Sequence, residues 1–85
     1  MQSAFSETRN APRRRVLKAG VITFAYSAAI DCTVRNLSDT GASLEVASPL
    51  GIPAMFVLVI KSDSFKRSCR IVWTKDRRIG VTFIR

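Results

Sequence analysis

Apolar and polar residues alternate with a period of two along most of the chain from residue 17 to residue 83, and no segment sustains the repeat of an amphipathic helix. A chain of this kind has to bury one face of a series of strands. Ile30, Cys32 and Val34 alternate with Asp31, Thr33 and Arg35, while Ala42, Leu44 and Val46 alternate with Ser43 and Glu45. Two half-buried strands therefore meet at the short polar loop Asn36-Leu37-Ser38-Asp39-Thr40-Gly41.

Gly20, Ile22, Phe24 and Tyr26 share one face and predict a first strand over residues 17–26, followed by a turn at 27–29. Residues 48–53 are rich in Pro and Gly and read as a loop. Residues 55–61 are apolar on both faces, as in a strand covered on both sides or lying centrally in a barrel. After a turn at 62–64, Cys69, Ile71 and Trp73 alternate with Arg70, Val72 and Thr74. A turn at 75–77 then leads to a last strand through Ile79, Val81 and Phe83. β-Branched and aromatic residues dominate these runs, so the expectation is all-β: six antiparallel strands in a small barrel or sandwich. Closure into a barrel would remove the unpaired edges of a thin sheet.

The chain has 85 residues, enough for one domain that buries about 60–65% of its unfolded surface. Residues 1–12 lack periodicity and end in Pro12, so they read as a disordered arm before a domain at 13–85. The longest apolar run, residues 54–60, is far short of the roughly 20 residues that span a bilayer. The N-terminal stretch has no apolar signal core, which predicts a cytoplasmic protein. In that reducing setting Cys32 and Cys69, both at inward positions, are expected as small buried thiols. Without histidine, a CxxC pair or suitably placed carboxylates, zinc binding and enzymatic activity are disfavoured, and no cofactor is expected.

Charge is concentrated at the ends of the chain. The net +8 divides into +4 over residues 1–18, −2 over 19–60 and +6 over 61–85. A polyanionic partner follows: a nucleotide, a nucleic acid, or an acidic protein or membrane surface. Lys66, Arg67, Arg70, Lys75, Arg77 and Arg78 are expected as an exposed basic surface, a docking patch for an acidic partner or a second route to a ligand. Phe24, Phe56, Phe65, Trp73 and Phe83 could form a stacking platform for single strands, but the placement of most of them in alternating or apolar runs reads as core, with a barrel rim as the alternative for Trp73.

Arg13, Arg14 and Arg15 precede the first strand, and Asn36, Ser38 and Gly41 punctuate the central loop. Amide, hydroxyl and backbone N–H donors facing one point suit a phosphate or a base edge, and Gly41 would supply a positive φ. Arginine triplet and loop are read as two halves of one anion site. Turns of this composition are common, and the upstream arginines carry the functional reading.

This arrangement, together with the closing Ile79-Gly80-Val81-Thr82-Phe83, resembles the PilZ domain family over about residues 12–85. Asn36, Ser38 and Gly41 meet the family's (Asp/Asn)-x-Ser-x-x-Gly motif in full. Of its RxxxR motif, Arg14 takes the first place and Lys18 stands in the second. The resemblance implies a six-stranded β-barrel that binds cyclic di-GMP through Arg13, Arg14, Arg15, Lys18, Asn36, Ser38 and Gly41, and signals to a protein partner. Lysine keeps the charge but loses the planar fork. If the lost contact is worth roughly 1–3 kcal/mol, affinity falls about 5- to 150-fold. The rival expectations are a degenerate PilZ domain serving as a protein-interaction module and, less favoured, a small nucleic-acid-binding barrel. Many family members continue into a helix over one barrel mouth; here that cover is expected from the N-terminal arm or from a second copy of the chain.

Overall fold

The computed structural model describes residues 14–84. The expected arm at residues 1–12 and Arg13 lie outside the described residues. Six strands follow in order: β1 Arg14–Phe24, β2 Ala28–Leu37, β3 Gly41–Glu45, β4 Met55–Ile60, β5 Phe65–Lys75 and β6 Arg78–Phe83. One turn of 3-10 helix, Lys61–Asp63, joins β4 to β5. All neighbours pair antiparallel, and the order β1-β2-β3-β6-β5-β4 closes on itself as a barrel.

Alternate side chains of every strand fill the barrel. Ile22, Val34, Leu44, Leu58, Ile60, Cys69 and Ile79 are fully buried, with Phe24, Phe65, Ile71 and Phe83 packed against them. Each large side chain taken from water stabilises the fold by about 1.5–3 kcal/mol. Leu58→Ala is expected to cost about 2–5 kcal/mol, read as a lowered midpoint in urea; a midpoint within error of wild type would show that Leu58 does not anchor the core.

Three details differ from expectation. β1 begins at Arg14 and turns at residues 25–27, where Ala25 takes a left-handed φ of 54°. Tyr26 leaves the strand there and is fully exposed instead of facing inward. β4 buries only Phe56, Leu58 and Ile60; Val57 and Val59 are half-buried and Met55 is exposed, because the barrel is a single layer with solvent outside. In β5 the register slips between Ile71 and Trp73, so Ile71 faces Val81 while Trp73 faces Gly80. This bulge turns Trp73 outward, where its indole lies on the glycine: a Cβ at Gly80 would fall 2.0 Å from Trp73 Nε1.

Cys32 and Cys69 are free and buried. Burial pushes both thiols up to about 11, with Asp31 adding to the effect at Cys32. Neither thiol is a nucleophile near neutrality, so Ellman's reagent is expected to label them only on unfolding. A thiol pKa raised by folding also implies stability that is complete below about pH 9, the unfolded value, and is lost as pH rises toward 11. Rapid labelling of the folded chain would contradict this.

Candidate functional site

Antiparallel pairing brings the start of β1 against the end of β2. Arg14 stands opposite Leu37 and Arg15 opposite Asn36, so the arginines and the polar loop are neighbours in space. The loop is fixed from within by Ser38. Its N–H donates to the Gly41 carbonyl at 2.9 Å, and its Oγ accepts from the N–H groups of Thr40 and Gly41, each at 3.2 Å. This is a hydroxyl-stabilised turn. Ser38→Ala removes the acceptor of two N–H groups at a largely exposed turn and is expected to cost about 0.5–1.5 kcal/mol, measurable as faster amide exchange at Thr40 and Gly41; unchanged exchange would speak against this role.

The backbone N–H groups of Thr40 and Gly41 are thus taken up by the loop itself rather than left to converge on a ligand. Gly41 also serves another purpose than expected. It does not sit at positive φ among the described residues. Its backbone approaches β6 so closely that a Cβ would lie 2.3 Å from the Val81 carbonyl oxygen. The loop is tied to β6 as well by the N–H of Phe83 and the hydroxyl of Thr82, both donating to the Thr40 carbonyl, at 2.8 and 3.2 Å.

The motif side chains fall on two sides of the β1–β2 ladder. Arg14, Lys18 and Ser38 line a cavity of about 470 Å³ at the barrel mouth, together with Asp39, Asp63 and Arg67 over an apolar floor that includes Phe65 and Phe83. Arg15 and Asn36 border a more open groove on the outer wall, of about 460 Å³, with Leu17, Arg35 and Arg78. Gly41 lines neither; it holds the loop in place. The division arises from a bulge in β2: Val34 faces Leu44 but Asn36 faces Ser43, which leaves Arg35 as the extra residue, Leu37 against the core and Asn36 toward the outer groove.

Charges in the mouth cavity are partly paired. Lys18 Nζ donates to Asp63 Oδ2 at 2.6 Å. This hydrogen bond holds the Asp63 carboxyl below the usual carboxylate range. A carboxyl lowered by folding adds stability above its unfolded pKa and loses it as pH falls through the folded value. The pair is therefore expected to survive to pH values below about 3.9, seen as a depressed Asp63 midpoint in a carboxyl NMR titration that Lys18→Met restores; a midpoint at the ordinary value would contradict the pairing. Arg67 lies over the Phe83 ring at 5.0 Å, and Phe83 meets Phe65 with ring centroids 5.4 Å apart. On the outer wall Arg35 pairs with Glu45 at 2.8 Å and Arg78 donates to the buried Ser43 hydroxyl at 3.4 Å.

Asp63 is not among the residues that the sequence points to, and Arg67 enters there as part of the basic surface whose alternative role is a second route to a ligand. A signal existed. Arg67 shares its face with Phe65, Cys69 and Ile71, so a charge interrupts an inward-facing apolar series, which is tolerable only at a barrel mouth. Asp63 carries no such signal, because its position depends on the path of the 3-10 turn. Among the described residues no cluster of His, Cys, Asp or Glu could hold a metal ion, and no helix is long and apolar enough to cross a membrane.

No curated protein matches the sequence. The family model of the PilZ domain matches residues 7–85, a span that includes all six strands, the basic start of β1 and the Asn36–Ser38–Gly41 loop. Members of that family generally act as cyclic di-GMP-binding effector domains and not as enzymes. With the closed six-stranded barrel and the motif residues in neighbouring strands, the chain belongs to the PilZ domain family.

Proposed function

We propose that this domain is a cytoplasmic receptor for cyclic di-GMP that passes the second-messenger signal to a protein partner. The observation that carries the reading is the β1–β2 register, which sets Arg14 and Arg15 directly across from Leu37 and Asn36. Cyclic di-GMP carries two phosphates and two guanines, so it needs cations and base-edge donors within one ligand's reach. Arg14 makes no ion pair among the described residues and is exposed. Its guanidinium can clamp a phosphate or fork onto guanine O6 and N7. On the outer side of the ladder Arg15 offers the same chemistry, and the Asn36 amide adds a neutral donor and acceptor for a base edge. Ser38 and Gly41 contribute by holding the loop that closes the site, and Lys18 stands within the cavity, paired with Asp63.

Calorimetric titration with cyclic di-GMP tests this. Saturable binding in the micromolar range is expected. No heat well above micromolar ligand would favour the second reading, a PilZ domain that has lost its ligand and serves as an interaction module. One observation speaks for that rival: the second basic position of the motif is already neutralised by Asp63.

A further inference from the structure

We propose that Asp63 sets how tightly the mouth cavity takes an anion, by acting as an internal competitor for Lys18; the cyclic dinucleotide version of this inference rests on the reading above. The carboxylate is presented from a closed turn. Ser64, at a left-handed φ of 51°, ends the 3-10 helix and its N–H returns to the Lys61 carbonyl at 3.1 Å. Ser62 Oγ donates to Asp63 Oδ1 at 3.1 Å, and this orients the other oxygen, Oδ2, which receives Lys18 Nζ at 2.6 Å. Both partners line the cavity that Arg14, Ser38 and Arg67 also line.

A phosphate approaching Lys18 meets this carboxylate first. It must displace Asp63, or bind through Arg14 and Arg67 alone while facing an uncompensated negative charge. Either way the Lys18 charge does little for the bound anion as long as Asp63 holds it. Replacement of Lys18 by arginine does not remove the competitor, because a guanidinium can pair with the same carboxylate bidentately. Asp63 thus governs affinity from outside the two sequence motifs, on the β4–β5 connection.

The test is a double-mutant cycle by calorimetry on the full chain, with wild type, Asp63→Asn, Lys18→Gln and the double variant. Two probes are used, cyclic di-GMP and inorganic pyrophosphate at up to millimolar concentration. Asp63→Asn is expected to tighten binding of each probe roughly tenfold, the effect of one charge-assisted contact. Lys18→Gln should weaken binding in the wild-type background, because it leaves the Asp63 carboxylate unpaired in the cavity, and the double variant should bind about as the wild type does. A double variant that binds as tightly as Asp63→Asn, unchanged or weaker binding in Asp63→Asn, or no pyrophosphate binding to any variant overturns the proposal. Failure of cyclic di-GMP alone, with the pyrophosphate gain intact, upholds the role of Asp63 and removes the ligand assignment instead.

Discussion

Gly41→Ala is expected to lower the melting temperature by more than 10 °C, on the order of 2–3 kcal/mol in a domain of this size. The added methyl group would stand 2.3 Å from the Val81 carbonyl oxygen, and that neighbour is backbone, which cannot rotate away. Relief requires β3 and β6 to separate where Gly41 pairs with Thr82. That ladder links the hairpin half of the barrel to the β5–β6 half, so its loosening opens the closed sheet. The same displacement pulls Thr40 from its bonds to Phe83 and Thr82, and with it the loop beside Arg14. Thermal melting followed by circular dichroism measures this; a melt matching wild type would mean that the strands adjust without cost. Gly51 provides the contrast, since a Cβ there meets nothing within 4 Å and only its φ of 84° resists substitution.

Arg14→Ala is expected to leave stability within about 0.5 kcal/mol and to remove cyclic di-GMP binding. The side chain is exposed and makes no ion pair among the described residues, so the folded state loses little. The ligand loses a charge-assisted, forked contact worth about 2–3 kcal/mol, a drop of roughly 30- to 150-fold that takes a micromolar receptor out of the useful range. Arg14→Lys should fall between the two, since it keeps charge without the fork. Calorimetry and a urea melt on the same variant distinguish a lost contact from a lost fold: full binding by the stable Arg14→Ala protein would remove Arg14 from the site.

Most of the fold was legible because a half-buried strand writes its two faces directly into a period of two. Ile30, Cys32 and Val34, or Ile79, Val81 and Phe83, point to the core in the structure as they do in the sequence. The errors fall where that period is broken by backbone geometry. Val72 is the extra residue in β5, so parity placed Trp73 with Cys69 and Ile71 when it lies outside over Gly80. Arg35 does the same in β2, sending Asn36 to the outer groove and Leu37 to the inside. Nothing in residue type marks either bulge in advance.

The site was legible to the same extent. The arginines and the polar loop were readable as separate signals, and the antiparallel register of β1 on β2 supplies their proximity. Gly41 shows how a correct residue can carry the wrong reason: a loop glycine suggests positive φ, whereas the constraint here is the approach of another strand from the far end of the chain. Asp63 was invisible as a partner of Lys18 because 45 residues separate them and neither spacing nor composition joins them.

The central claim is that a cyclic dinucleotide binds where the start of β1 meets the loop after β2. A titration of the isotopically labelled chain with cyclic di-GMP, followed by backbone amide NMR, tests it most directly. The account predicts saturable shifts concentrated at residues 14–18 and 36–41, with little change at the 25–27 turn on the opposite end of the same ladder. Shifts centred on that turn or on the 48–53 loop, or none at millimolar ligand, would contradict it.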